Sequence, residues 1–179
     1  MLSERLQPVE SGHVLATRSQ LWSASSGARS VALVYFDSSA LVKLVVEENG
    51  SELAAALWDG CDAALSSRLA YPEVCAALAA AGRNHDLDKT DLVSAERAWD
   101  GHWAEIRPVE LTAPVERHAG QLARTHGLRG ADAVHLASTL AIGDPDLVFA
   151  VWDVRLHAGA RASHLRAAPL DLSVQGAAP

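Results

Sequence analysis

Cysteine is scarce in this chain: Cys61 and Cys75 stand alone among 179 residues, and neither belongs to a C-x-x-C pair. That excludes a disulfide framework and a thiolate zinc site, and makes a reducing cytoplasm the expected compartment. Positive charge is short as well. Fifteen Lys and Arg against twenty-two Asp and Glu leave a formal charge of −7, which argues against a protein that coats nucleic acid through a broad basic surface. No stretch approaches the roughly 20 apolar residues that span a bilayer, and the first thirty residues lack the apolar core of a secretory signal. Neither membrane insertion nor export is expected. Also missing is any H-E-x-x-H or comparable zinc spacing, although His118, His126, His157 and His164 are available.

What is present is the make-up of one folded domain. A chain of about 150 residues buries roughly 70% of its unfolded surface, so a substantial core is within reach. Nearly half the residues are hydrophobic and 21% are charged, as in ordinary folded proteins. Residues 1–30, rich in serine and without an apolar period, are expected to be a flexible tail, the folded unit to run over 31–172, and 173–179 to be a second tail.

The run VALVYFD from Val31 to Asp37 has no polar alternation, the pattern of a strand buried on both faces. Ser38-Ser39 is read as the cap of a helix carrying Leu41, Leu44 and Val45, with a turn at Asn49-Gly50 and a second helix over 51–58. A short strand is expected over 63–66, and a helix over 69–81 that admits Pro72 in its first turn and stops at Gly82. Further helices are expected over 89–103, 113–126, 131–142 and 155–162, with strands over 106–111, 147–151 and, at an edge, 169–172. This alternation predicts an α/β domain with a mainly parallel β-sheet flanked by α-helices.

In an open parallel sheet the site lies beyond the carboxyl ends of the strands. Asp37 and Asp153 each follow a predicted strand, and Glu73 and Asp132 each fall in the opening turn of a predicted helix. Either helical acid alone reads more simply as a partner of its helix's amino end. Taken together, close carboxylates are costly without a cation. Oxygen donors without Cys or clustered His select Mg²⁺ or Mn²⁺, and such a centre suits attack on a phosphodiester.

The segments FDSSALVKLVVEENGSE around Asp37, YPEV around Glu73, LRGADAVHLASTLA around Asp132 and VWDVRLHAGA around Asp153 resemble the successive acidic motifs of PIN-domain ribonucleases, most closely the VapC-type toxins. The resemblance covers about residues 31–172. It implies a PIN-like fold and an endoribonuclease in which Asp37 and Asp132 are the main Mg²⁺ ligands, Glu73 and Asp153 complete the acidic cluster, and Ser39 supports Asp37 from behind. It also implies a role as the toxin of a toxin–antitoxin pair, held in check by a VapB-like antitoxin, and a possible homodimer. The chain departs from the pattern at Val151, where the family often has Ser or Thr, so a hydrogen bond made from that position is expected to be missing.

Around these acids, Arg117, Arg124, Arg129, Arg155, Arg161 and Arg166 outnumber Asp132, Asp144, Asp146 and Asp153, and Arg124, Arg129 and Arg155 are the candidates for RNA phosphate contacts. His135 shares a helical face with Asp132 and is read as a hydrogen-bonded structural residue. Glu47 and Glu48 are read as a solvated helix end, and Trp58, Trp99, Trp103 and Trp152 as core or interface groups. The alternative to an enzyme is a catalytically silent PIN-like module that binds RNA or protein. A phosphatase with an aspartate nucleophile at position 37 is disfavoured, because such enzymes commonly carry a second aspartate two residues on and here that residue is Ser39.

Overall fold

A computed structural model describes residues Gln7–Pro8 and 31–172. Gln7–Pro8 (β1), inside the segment expected to be a tail, pair antiparallel with Val46–Glu47 (β3), a short strand the sequence did not suggest. The rest of the two expected tails lies outside the described residues.

The centre is Leu33–Phe36 (β2). On one side it pairs with Ala63–Ser67 (β4), which pairs with Arg107–Val109 (β5); on the other it pairs with Val148–Ala150 (β6), which pairs with Arg166–Ala168 (β7). All four pairings are parallel, as the alternation of strands and helices predicts. Successive β2 side chains enter different cores. Val34 and Phe36 pack with Leu41, Leu78 and Trp99, whereas Tyr35 packs with Leu136, Phe149 and Leu156. Period-two alternation between two apolar layers is why VALVYF reads as an unbroken hydrophobic run.

The first layer comprises Ser38–Val42 (α1), Ser51–Gly60 (α2), Ala70–Arg83 (α3) and Lys89–Glu105 (α4). The second comprises Ala113–His126 (α5), Gly130–Ile142 (α6) and Val154–Ala162 (α7). Three details differ from expectation. The cap of α1 is Asp37 itself, which accepts the Ala40 N–H at 2.8 Å, because Asp37 is the last residue with extended backbone. α3 runs through Gly82, where a β-carbon would lie 2.7 Å from Leu92 Cδ2, so this glycine permits close packing of α3 on α4 and does not end the helix. β7 lies at 166–168, ahead of the expected 169–172: Pro169 has no N–H to donate, and Leu170 is 80% exposed.

Candidate active site

The carboxyl ends of β2 and β6 are locked together, Phe36 opposite Ala150, with the Asp37 N–H donating to the Ala150 carbonyl at 3.1 Å. The chain leaves β2 toward β4 on one side while β6 lies on the other, so this junction is the point where the strand order reverses. A crevice is expected there. Four elements deliver the four acids: Asp37 follows β2, Asp153 follows β6, Glu73 stands in the first turn of α3 and Asp132 in the first turn of α6.

Asp37 is the most constrained. It is 3% exposed, and the Ser39 hydroxyl lies 2.7 and 2.8 Å from its two carboxylate oxygens. Burial pushes its pKa up to about 6, the charge of Asp153 adds to the rise, and His135, Ser39 and the Ala40 N–H oppose it. Ser39 also accepts the Trp152 N–H at 2.9 Å, tying Asp37 to the segment that carries Asp153. Val151 is fully buried in the core, as its apolar side chain requires.

Glu73 is half-buried, and its Oε2 receives both the Ser38 hydroxyl at 2.6 Å and His135 Nε2 at 2.9 Å. Burial raises its pKa, but the hydrogen bonds from His135 and Ser38 and the charge of His135 outweigh it, and the net shift is downward. Asp132 is displaced upward, first by burial and then by the charges of Asp153 and Glu73, against the pull of Arg129. Asp153 spends Oδ1 on capping α7, accepting the Arg155 and Leu156 N–H groups at 2.9 and 2.8 Å. The charge of Asp153 thus reaches both Asp37 and Asp132, and that of Glu73 reaches Asp132, which places all four in one electrostatic neighbourhood.

As the side chains stand, no three His, Cys, Asp or Glu groups among the described residues are close enough to hold a metal ion. The chemistry of the four acids nonetheless fits a hard divalent cation. Every donor is a carboxylate oxygen, burial and then like-charged neighbours raise two of the acids, and the hydrogen bonds above engage one oxygen each of Glu73 and Asp153, Oε2 and Oδ1.

Other candidates are placed plainly. Arg124 lies in the last turn of α5, Arg129 caps α6 and Arg155 lies in the first turn of α7, all exposed. Glu48 pairs with the buried Lys43 at 2.6 Å, and Glu47 lies exposed in β3. Trp99 is buried in the first core, and Trp58, Trp103 and Trp152 pack against it. Sequence reasoning missed Ser38 as a partner of Glu73, Tyr35 as a partner of His135, and the Lys43 ammonium 5.5 Å from the Trp152 ring centre.

Comparison with known families matches the PIN domain over residues 34–151, from β2 to just past β6. The chain belongs to the PIN-domain family. Two relatives lie within its VapC branch: Ribonuclease VapC45 of Mycobacterium tuberculosis (strain CDC 1551 / Oshkosh) and Ribonuclease VapC49 of M. tuberculosis (strain ATCC 25618 / H37Rv). Each is 71% identical over 140 residues, covering 78% of this chain and 97% of the relative. Among solved structures, FitAcB from Neisseria gonorrhoeae aligns at 18% identity with a TM-score of 0.57, covering 75% of this PIN-domain chain and 96% of that one. A toxin-antitoxin complex from Klebsiella pneumoniae aligns at 16% identity and 0.51, covering 70% and 91%. At such identities the structures speak for the PIN fold alone. Among the described residues, no helix is long and apolar enough to cross a membrane.

Proposed function

We propose that this PIN-domain protein is a Mg²⁺-dependent endoribonuclease, the toxin of a toxin–antitoxin pair, that hydrolyses RNA phosphodiester bonds in the cytoplasm. The observation that carries this is the delivery of four carboxylates by four separate elements to the reversal point of a parallel sheet, in a chain 71% identical to proteins named ribonuclease VapC. Asp37 and Asp132 would be the principal ligands of the cation, with Glu73 and Asp153 completing its surroundings; Mn²⁺ would suit the same donors. Bound there, the cation would supply Lewis acidity and charge neutralisation for a phosphodiester.

The chain's own residues do the rest. Ser39 holds the Asp37 carboxylate and, through the Trp152 N–H, fixes the approach of the Asp153 segment. Asp132 and Asp153 sit in or at the first turns of α6 and α7, where exposed Arg129 and Arg155 are within a turn and are placed to receive phosphate oxygens, with Arg124 on α5 as a third contact. A VapB-like antitoxin that presents a basic side chain to these acids would silence them, and pairing with a second copy of the chain is the expected assembly.

Cleavage of total RNA by the purified, partner-free protein tests the proposal, run with Mg²⁺, with a chelator, and with Asp37→Asn in parallel. Cleavage that needs the metal and disappears in the variant is the expected result. A folded wild type that cleaves nothing across a broad RNA panel would point instead to the silent binding module.

A further inference from the structure

Tyr35 poses a problem that packing does not answer. It is wholly buried on the central strand, its ring edge-on to Phe149 with centroids 5.4 Å apart, and a phenylalanine would fill the same slot without burying a hydroxyl. A buried phenol is costly unless it finds partners, and here His135 Nδ1 lies 3.0 Å away, with the Ser138 hydroxyl and the Ser67 backbone also bearing on it. Across the same imidazole, Nε2 lies 2.9 Å from Glu73 Oε2 and 3.2 Å from Ser38 Oγ. A carboxylate only accepts, so Nε2 carries the proton in the contact with Glu73, and Nδ1 is left to the phenol. The ring itself is 2% exposed.

The result is a continuous line from β2 through α6 to α3: phenol, imidazole, carboxylate. Ser38, on α1, completes it by donating to the same Oε2. Glu73 is the only glutamate among the four acids, and a glutamate loses more rotamer freedom on being fixed than an aspartate does. Two donors converging on one oxygen leave the other oxygen's direction determined.

We propose that Tyr35 and His135 form a prop that fixes the Glu73 carboxylate for the cation, making Tyr35 a positioning residue of the metal site although it lies in the core. This rests on the metal-site reading given above, and goes beyond it in assigning the work of holding Glu73 to a residue thirty-eight positions away. Groups of this kind, acting on a metal through its ligands, shift metal affinity by about tenfold or more when removed.

The test is Mn²⁺ titration calorimetry on the full chain without RNA, for wild type, Tyr35→Phe, His135→Gln, His135→Leu and the double variant Tyr35→Phe/His135→Gln, with melting curves for each. Gln retains an N–H near Nε2 but breaks the link to the phenol. Tyr35→Phe and His135→Gln should each weaken Mn²⁺ binding by about tenfold, and His135→Leu by more. The double variant should match His135→Gln, because Tyr35 acts only through the ring. Unchanged Mn²⁺ affinity in a folded Tyr35→Phe, additive losses in the double variant, or a wild type that binds no Mn²⁺ would each overturn the proposal. If Tyr35→Phe does not fold, the comparison of His135→Gln with His135→Leu decides: equal affinities overturn the prop. A wild type that binds Mn²⁺ but cleaves no RNA would remove the nuclease reading and leave the prop standing.

Discussion

The two halves of the acidic site are built differently. Asp37 and Glu73 are held by side chains: Ser39 on one, Ser38 and His135 on the other, with Asp37 almost fully enclosed. Asp132 and Asp153 are held by helix beginnings, are partly exposed, and have Arg129 and Arg155 for neighbours. Within the first half Asp37 stores electrostatic strain, because a buried carboxylate lacks the water that would solvate its charge, whereas Glu73 is stabilised by His135 and Ser38. The second half is more open, although burial and the charges of Asp153 and Glu73 raise Asp132 as well. In the proposed site each half gives the cation one principal ligand, Asp37 and Asp132, while Arg129 and Arg155 lie beside the second half alone.

The largest effect that separates the halves is expected at Asp37. Its raised pKa means that the favourable, protonated state is present below pH about 4 and lost as pH rises through about 6, so the metal-free protein carries the strain at pH 8. Asp37→Asn keeps the helix cap and removes the charge. It should abolish RNA cleavage while raising the stability of the metal-free protein at pH 8 by about 2 kcal/mol, several degrees of melting temperature, with the gain shrinking toward pH 4. Asp153→Asn should shift stability far less in the same melts. If both substitutions stabilise equally, the contrast between the halves fails.

Next in size is the cation itself. Saturating Mg²⁺ should raise the wild-type melting temperature at pH 8 and hardly at all at pH 4.5, where Asp37 is largely protonated, and the rise should vanish in Asp37→Asn. An equal rise at both pH values would mean that the ion binds elsewhere.

Ser39→Ala sharpens the link between the halves, since it strips a donor from Asp37 and removes the hydroxyl that accepts the Trp152 N–H. A loss of about 1 to 2 kcal/mol in chemical denaturation is expected, together with weakened metal-dependent cleavage. The smallest effects belong to the arginines. Arg124→Ala, Arg129→Ala and Arg155→Ala should each raise the RNA concentration for half-saturation by a few-fold, an effect that salt diminishes. Unchanged binding for all three would remove the open half's role as the RNA-facing side.

The sheet and helices were legible because VALVYF and its counterparts carry an apolar signal dense enough to be buried on both faces. Two misread details share a cause: a residue type was given its common local meaning where a neighbour distant in sequence had set another. Gly82 reads as a helix stop until Leu92 is seen packed against it, and Ser38 reads as a cap until Glu73 and His135 are seen to need its hydroxyl. The four acids could be named because each follows a strand or opens a helix. Ser39 beside Asp37 was expected from the resemblance, but the supports of Glu73 were not. Tyr35, Ser38, Glu73 and His135 meet across separations of 35 to 100 residues, and no local pattern encodes such a meeting. The one local hint was a phenol in the middle of an apolar strand.

The most direct test of the central claim, that the two halves close on one cation, is a crystal structure of the partner-free protein grown with Mn²⁺. The account predicts an anomalous peak between the carboxylates of Asp37 and Asp132, with Glu73 and Asp153 oriented toward it. Saturating Mn²⁺ that binds elsewhere and leaves Asp37 and Asp132 without a shared ion would contradict it.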